Sequence, residues 1–153
     1  MNRLHEVRMS GDRPFAPRVS AFTRPFWTGL ADGQLRTTCC DACGVISFPP
    51  RNLCRACWAR DVRWIDLSPS GRLYSFTRVH VVPGAFAADA PYAIGIVDID
   101  RGPRLMCRMV GEVSADDLDS PVQMLVLRYD DGPLFGACVP GRGGVPAESG
   151  AVR

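Results

Sequence analysis

Residues 39–58 read CCDACGVISFPPRNLCRACW and hold five of the 7 cysteines in this 153-residue chain. Cys40 and Cys43 are separated by two residues, as are Cys54 and Cys57, and ten residues lie between the two pairs. Two such pairs can present four thiolates tetrahedrally, at the roughly 2.3 Å that zinc requires. The spacing therefore predicts a four-cysteine metal site.

The surroundings of the cysteines favour a zinc ribbon. Gly44 follows the first pair, where the backbone often needs a left-handed turn, and VISFPPRN between the pairs can form one strand and a turn. A thioredoxin-like redox motif would be a single pair at the start of a helix in a βαβ unit, and none is visible. Iron held as in rubredoxin uses similar ligands, so the spacing leaves iron open beside zinc.

Four thiolates complete the coordination shell of the metal. Catalytic zinc usually has three protein ligands and an open position for water, so we expect a structural site that supplies folding energy to a short segment. Cys39 is expected to lie beside the site as a non-ligand; a register in which it replaces Cys40 would leave a three-residue gap. Cys107 and Cys138 fall in predicted strands, where we expect buried thiols.

An arm and a short helix precede the cysteines. Residues 1–20 carry Arg, Ser, Gly and Pro without periodicity and predict a flexible N-terminal arm. Residues 21–35 predict a helix with Thr23 as its cap, Pro25 near its first turn and Gly33 at its end.

The predicted helix carries an aromatic stripe formed by Phe22, Phe26 and Trp27. So much aromatic surface on a short helix must be buried against something. The stripe either packs on the chain's own ribbon or barrel, or docks onto a partner subunit.

After the predicted ribbon at residues 36–68, the pattern changes to alternation with β-forming residues. It predicts strands at about 71–82, 92–100, 105–113, 122–129 and 134–139, and a single helical turn in SADDLDSP. Five short antiparallel strands suggest a closed barrel at residues 69–140, most simply a five-stranded OB-fold. The fold class is therefore mostly β, with a short N-terminal helix, a rubredoxin-like ribbon and a barrel. Residues 141–153 are rich in Gly, Pro and Ala and predict a disordered tail.

Composition and charge argue against several classes of protein. The formal net charge is +2, and all 18 basic residues are arginines spread along the chain, without the basic stripe of a nucleic-acid binder. The N-terminus has no apolar signal region, and no segment approaches the ~20 apolar residues of a membrane span. We therefore expect a cytoplasmic protein without membrane contact, in a compartment that disfavours disulfides.

No catalytic constellation is apparent in the sequence. His5 lies in the predicted arm, and His80 lies in a predicted strand among apolar neighbours. Asp98 and Asp100 fall at a strand end, where solvated turn residues are expected. Neither a phosphate-binding P-loop nor a dinucleotide fingerprint is present.

Four segments together resemble a known family. They read RPFWTGLADGQLRTTCCDACGVISFPPRNLCRACW, SGRLYSFTRVHV, PYAIGIVDIDRGPRLMCRMVG and DGPLFGACVP, and they fall between about residues 22 and 140. The chain is similar to the bacterial and archaeal OB-fold, acyl-CoA-associated zinc-ribbon proteins, once called domain of unknown function 35. Two departures concern loop geometry: DLDSPVQM lacks a glycine that often precedes the fourth strand, and CRACW replaces a common Pro and Gly.

The resemblance implies an accessory subunit rather than a lone enzyme. The implied partner is a thiolase-fold protein that carries the catalytic Cys and His, in a heteromeric complex expected to be a heterotetramer. Together they would cleave CoA thioesters by thiolysis or by a retro-aldol step, in steroid side-chain, aromatic or fatty acyl degradation. The barrel would border the channel that receives acyl-CoA.

Two alternatives remain at this stage. The partner could instead be a MaoC-like enoyl-CoA hydratase. The chain could also bind single-stranded nucleic acid, which requires basic residues interleaved with exposed aromatics; Tyr74 and Phe76 with Arg72 and Arg78 are a weak version of that pattern.

Binding of CoA would need arginines at its phosphates and a groove of small or apolar side chains along its pantetheine arm. The long loop at residues 84–92 is expected to be a channel wall or a partner contact, since such loops are often functional. The residues proposed for CoA or partner contact are Phe22, Phe26, Trp27, Arg72, Arg78, Phe86, Tyr92, Arg104 and Arg108. Each arginine taken alone is more simply explained as an ordinary surface charge.

Overall fold

The computed structural model describes residues 3–142 as one α-helix, nine strands and two short 3₁₀ turns. Within that range, no helix is long and apolar enough to cross a membrane. Residues 143–153 of the predicted tail lie outside the described residues. The elements are β1 (His5–Arg8), α1 (Arg24–Ala31), β2 (Arg36–Cys40), β3 (Ile46–Ser47), β4 (Val62–Asp66), β5 (Ser70–Val79), β6 (Tyr92–Ile99), β7 (Arg104–Val110), β8 (Pro121–Tyr129) and β9 (Gly132–Cys138).

Strands β5 to β9 form a closed barrel. The strand order is β8-β5-β6-β7-β9, and β9 pairs with β8 again to complete the ring. The β7–β9 pairing is parallel, whereas the other pairings within the ring are antiparallel. This is the five-stranded, OB-like barrel that the alternating pattern predicts, and the predicted helical turn is present as a 3₁₀ turn at Ala115–Asp117.

The barrel is filled by the inward half of each alternating strand. Along β6, buried and half-buried residues alternate without interruption, as expected for strands with one face on a core. The side chains of Leu73, Val97 and Val126 have no exposed surface. Gly95 lets the Met109 side chain pack closely, because a Cβ there would overlap the Met109 sulfur unless that side chain shifted.

The N-terminal segment differs from the predicted flexible arm, because residues 5–8 form β1 and pair in parallel with β8. The reason is a free edge on the barrel. β5 pairs with β8 only through its residues 70–72, which face residues 121–123 of β8, so β5 leaves the rest of that edge of β8 uncovered. An unpaired strand edge leaves backbone N–H and C=O groups without partners, and β1 supplies those partners to residues 125–128 of β8.

Helix α1 occupies the predicted place but starts differently. Thr23 stands at the N-cap, yet its side chain makes no capping hydrogen bond. Instead, Thr23 Oγ1 accepts a hydrogen bond from the backbone N–H of Ser20 at 2.9 Å. The predicted side-chain cap is therefore wrong, whereas Gly33 ends the helical segment as predicted, with φ at +80°.

The aromatic stripe of α1 joins the ribbon to the barrel. The Phe26 ring is only 5% exposed and makes edge contacts with Phe48 of the ribbon and Phe135 of β9, both at 6.1 Å between ring centroids. Phe22 lies against Trp64 of β4 at 5.7 Å. Phe26 thus packs within the chain, and its predicted contact with CoA or a partner stays a prediction.

Candidate metal centre and barrel groove

Strands β2, β3 and β4 form a small sheet in the order β3-β2-β4 that carries the four paired cysteines. The sulfur atoms of Cys40, Cys43, Cys54 and Cys57 all lie within 4.8 Å of one another. The Cys40–Cys57 and Cys43–Cys54 sulfur distances are both 3.6 Å. Four sulfurs at about 2.3 Å from a tetrahedral zinc would be about 3.8 Å apart, so these donors fit such an ion.

The two cysteine pairs adopt the same knuckle. The N–H of Gly44 donates to the carbonyl of Cys40 at 2.9 Å, and the N–H of Trp58 donates to the carbonyl of Cys54 at 2.9 Å. Gly44 has a φ of +73° and Trp58 a φ of +63°. Trp58 therefore stands where the first knuckle has its glycine, in a conformation that costs a residue with a Cβ about 1–2 kcal/mol.

The electrostatics of the cluster also suit a cation. Backbone N–H groups of Cys57 and Ala56 point at the Cys54 sulfur and lower its pKa to about 6. The N–H of Val45 lowers the pKa of Cys43, but the sulfurs of Cys57 and Cys54 outweigh it and raise the value to about 12. Four crowded thiols cannot all ionise without a nearby positive charge, which a thiophilic metal ion would supply.

Cys39 lies outside the four-sulfur cluster. It is buried in β2, and its thiol donates to the carbonyl of Gly44 at 3.5 Å. Two neighbouring threonines, which the sequence reasoning did not single out, fasten the loop between the knuckles. Thr37 donates to the carbonyl of Ser47, and Thr38 exchanges hydrogen bonds of 2.9–3.0 Å with the backbone of Arg51.

A groove lies along the barrel where β7 and β9 separate. The two strands pair only from Arg108 onward, through residues 108–110 and 136–138. The remaining halves diverge beside a cavity of about 360 Å³. Its walls are largely apolar and include Phe15, Phe86, Tyr92, Ile94, Met106, Leu127, Tyr129 and Leu134.

Aromatic rings and one ion pair define one side of this groove. Phe86 lies between Phe15, at 5.8 Å, and Tyr92, at 6.2 Å, measured between ring centroids. The Arg108 guanidinium lies 5.2 Å from the Tyr92 ring centre and donates to Asp89 at 2.9 Å. The long loop thus contributes two of its predicted residues to the groove, Phe86 and Tyr92.

The sequence reasoning missed Phe15 and Met106, which are 71% and 62% exposed at the groove. Met106 carries a usable signal, since it alternates with buried Leu105 and Cys107 along β7 and must therefore face outward. Phe15 carries no such sequence signal, because it lies at the groove only as a result of the path that the N-terminal arm takes over the barrel.

The other predicted arginines differ in how far their charge is balanced. Arg104 makes two hydrogen bonds to Asp98, at 2.6 and 2.9 Å, which lower the pKa of that carboxyl. Arg78 lies 3.6 Å from Glu112. Arg72 donates only to the carbonyl of Asp119, at 2.6 Å, and forms no ion pair within residues 3–142.

The structure therefore places the nine predicted contact residues in separate regions. Phe22, Phe26 and Trp27 lie on or next to α1, Phe86, Tyr92 and Arg108 lie at the groove, and Arg72, Arg78 and Arg104 lie on β5 and β7. The Arg104 guanidinium also covers one face of the Tyr74 ring, at 3.4 Å from the ring centre. That face is not free to stack on a base, which weakens the case for nucleic-acid binding. A larger cavity of about 600 Å³, bordered by Arg3, Asp66, Asp100 and Arg101, contains none of the nine.

Comparison with known protein families gives two adjacent matches. Residues 27–63 match the rubredoxin-like zinc ribbon domain of ChsH2, and residues 64–128 match the C-terminal OB-fold domain of ChsH2. Together they run without a gap over about two thirds of the chain.

Three relatives extend the comparison. A DUF35 domain-containing scaffold protein from Methanocaldococcus jannaschii is 36% identical over 72 residues, which are 46% of this chain and 51% of the relative. The benzoylsuccinyl-CoA thiolase subunit BbsA from Thauera aromatica is 27% identical over 113 residues, 72% of this chain and 77% of BbsA. A probable enoyl-CoA hydratase alpha subunit from Thermomonospora curvata is 29% identical over 133 residues, 84% of this chain but only 40% of that protein.

A solved structure shares the fold. It is described as an Ltp2-ChsH2(DUF35) aldolase, and it matches with a TM-score of 0.68 and 24% sequence identity. The match covers 81% of this chain and 98% of that one. The likeness therefore includes both the ribbon and the barrel.

Proposed function

Because the chain belongs to the ChsH2-type DUF35 family of zinc-ribbon and OB-fold proteins, we propose that it is a non-catalytic subunit of an acyl-CoA enzyme. Its partner is a thiolase-fold protein, and the complex cleaves a carbon–carbon bond of a CoA thioester by thiolysis or by a retro-aldol step. The assembly is a cytoplasmic heterotetramer that acts on steroid side-chain, aromatic or fatty acyl thioesters.

The observation that carries this proposal is the likeness to BbsA. The alignment includes most of both chains, 72% of this one and 77% of BbsA, and so extends beyond a shared zinc ribbon. BbsA is described as a subunit of a thiolase, and a second relative from Geobacter metallireducens with the same description is 28% identical over 78% of this chain.

Zinc is the metal that we assign to the ribbon. Cys40, Cys43, Cys54 and Cys57 would hold it, since four sulfurs within 4.8 Å of one another suit a closed tetrahedral site. A zinc ion bound there contributes folding energy to the ribbon rather than chemistry to the reaction. The ribbon in turn holds α1 against the barrel through Phe26 and Phe48.

The groove beside β7 is the part of the barrel that we assign to the thioester. Its volume of about 360 Å³ lies in the range of small-molecule sites, and its apolar walls suit the pantetheine arm or the acyl group. Among the predicted arginines, Arg72 is the better candidate for a CoA phosphate because Asp98 already balances the charge of Arg104. The larger cavity suits an acyl chain less well, since charged residues border it.

The chemistry itself is assigned to the partner. The two cysteines of the barrel are poor nucleophiles, because burial raises the pKa of Cys107 to about 12 and raises that of Cys138 as well. A nucleophilic cysteine reacts as the thiolate and needs a lowered pKa. Three arginine–carboxylate pairs of the barrel, Arg78–Glu112, Arg104–Asp98 and Arg108–Asp89, hold six of its other ionisable side chains.

Coexpression tests the proposal. The tagged chain is coexpressed with each thiolase-fold protein of the source genome, and the eluate is analysed by size-exclusion chromatography with light scattering. We expect one of these proteins to elute with the chain at the mass of a heterotetramer. Failure of every thiolase-fold protein to co-purify would contradict the proposal.

A hydratase partner is the second candidate. The likeness to a probable enoyl-CoA hydratase alpha subunit covers 84% of this chain. A region similar to this chain is therefore also found within a protein described as a hydratase subunit. Coexpression with the MaoC-like hydratases of the source genome separates the two candidates, because a stable complex with a hydratase and none with a thiolase would favour this one.

A further inference from the structure

Trp58 at the tip of the second knuckle is exposed and backbone-strained at the same time. Its side chain is 72% exposed, and its φ of +63° lies in the left-handed region that favours glycine. The equivalent residue of the first knuckle is Gly44, with a φ of +73°. Glycine would make the same backbone hydrogen bond to Cys54 without the steric cost of a Cβ.

In the described part of the chain, the Trp58 side chain makes no ring contact that would compensate for this strain. The Trp58 ring takes part in none of the aromatic or cation–π contacts found in residues 3–142, whereas Phe22, Phe26 and Trp64 all do. A bulky side chain in strained backbone that buries little surface indicates a role outside the fold.

Two arginines flank this tryptophan and lack acidic partners. Arg55 and Arg60 are exposed, and neither forms an ion pair with a carboxylate in residues 3–142. By contrast, Arg63 of the same ribbon is paired with Asp41. We call Arg55, Trp58 and Arg60 the Trp58 tip.

We propose that the Trp58 tip is a docking surface that inserts the indole into an apolar recess with an acidic rim on the partner subunit. Tryptophan and arginine are the residues most enriched among those that dominate binding energy at protein interfaces. Free guanidinium groups would bind carboxylates on the rim. The N–H of Trp58 donates to the Cys54 carbonyl and the N–H of Cys54 donates to the Ala59 carbonyl, both at 2.9 Å, so the backbone of the tip is already ordered before binding and less conformational entropy is lost.

A protein partner fits this tip better than a nucleic acid. Sequence-tolerant binding of single strands uses several aromatic side chains on which successive bases stack, and the tip offers one.

The identity of the partner rests on the proposed function, and the test can reject the docking surface without rejecting that function. The chain and the thiolase-fold protein that co-purifies with it are titrated by calorimetry as wild type, as Trp58→Gly and as Arg55→Glu/Arg60→Glu. Trp58→Gly is expected to weaken binding about 30-fold, and the charge reversal at least about tenfold, with slower association at low salt. Arg101→Glu, in the turn between β6 and β7, is a single charge reversal away from the tip and should bind as wild type.

Folding of the variants is checked independently of binding. Trp58→Gly relieves left-handed strain, so it should keep one metal ion per chain and unfold at the wild-type temperature or above. If Trp58→Gly binds as tightly as wild type, the docking surface is wrong while the proposed function stands. If no thiolase-fold protein binds the wild-type chain, both are overturned.

Discussion

Arg13 and Asp131 lie 118 residues apart in the chain, and Arg13 binds Asp131 through three separate donors. Its backbone N–H donates to the carboxylate at 2.8 Å, Nε donates to the same carboxylate at 3.1 Å, and a terminal nitrogen donates to the Asp131 carbonyl at 2.8 Å. The N–H and the guanidinium of Arg13 lower the pKa of Asp131. These bonds fasten the arm to the turn between β8 and β9, and the arm then carries Phe15 to the groove.

Replacing Arg13 should free the arm. In Arg13→Ala the guanidinium bonds are lost, and the Arg13 side chain is only 12% exposed in the wild type, so we expect a loss of about 1–3 kcal/mol in the free energy of unfolding. Hydrogen exchange should show faster exchange of the β1 amides. Arg18→Ala removes an exposed arginine of the same arm and should leave exchange unchanged. Equal protection of β1 in both variants would contradict a role for Arg13 as a clasp.

Two buried cysteines of the ribbon, Cys39 and Cys54, give a matched test of the metal centre. Cys54→Ser removes one of the four clustered sulfurs and is expected to abolish stoichiometric metal binding and to unfold the ribbon, because four-cysteine ribbons depend on their metal. Cys39→Ser should keep one metal ion per chain, since its sulfur lies outside the four-sulfur cluster and donates to the carbonyls of Gly44, at 3.5 Å, and Cys40, at 3.7 Å. Metal analysis by mass spectrometry measures both. Loss of metal in Cys39→Ser would point to the register in which Cys39 replaces Cys40.

The buried thiol of Cys107 should make the barrel less stable at alkaline pH. Burial raises its pKa from 9.0 to about 12, so the neutral thiol stabilises the folded state fully below pH 9. This stabilisation is lost as the pH rises from 9 through 12, because only the unfolded chain ionises easily there. The free energy of unfolding should fall by up to about 4 kcal/mol from this group. Urea unfolding at pH 8 to 11 should show a flatter decline in Cys107→Ala, and an identical decline would contradict the argument.

The groove can be blocked without touching the metal centre. Met106→Arg places a long charged side chain at the apolar groove and should raise the KM of the complex for CoA thioesters at least about tenfold, with little change in partner affinity. Leu118→Arg makes the same change at another exposed apolar residue, 44% exposed, and should leave KM unchanged. If Met106→Arg instead abolishes the complex, the groove is a partner contact rather than a ligand site.

The barrel and the ribbon could be predicted from the sequence because each is encoded by a pattern among residues that are close together in the chain. The alternation along β6 and β7 and the two-residue spacing of the cysteine pairs do not depend on distant residues. β1 was missed for the opposite reason. Its four residues, HEVR, carry little strand signal. They pair with residues 125–128 of β8, an edge that β5 leaves free because it reaches only residues 121–123.

The candidate contact residues show the same division. The length of the loop at residues 84–92, its small residues and its two aromatics pointed to Phe86 and Tyr92, which do line the groove. The balance of charge could be read only from the structure, since Arg108 meets Asp89 across 19 residues of sequence and Arg72 meets no carboxylate in residues 3–142. Thr23 shows that a favourable cap residue can be diverted by a competing bond, here to Ser20.

Turnover by the reconstituted complex tests the central claim most directly. The chain, the co-purifying thiolase-fold protein and a mixture of the two are assayed with a β-ketoacyl-CoA plus free CoA, and with a β-hydroxyacyl-CoA alone. The account predicts carbon–carbon cleavage by the mixture at a rate well above that of the thiolase-fold protein by itself, and no cleavage by this chain. Cleavage by this chain alone, or equal rates with and without it, would contradict the account.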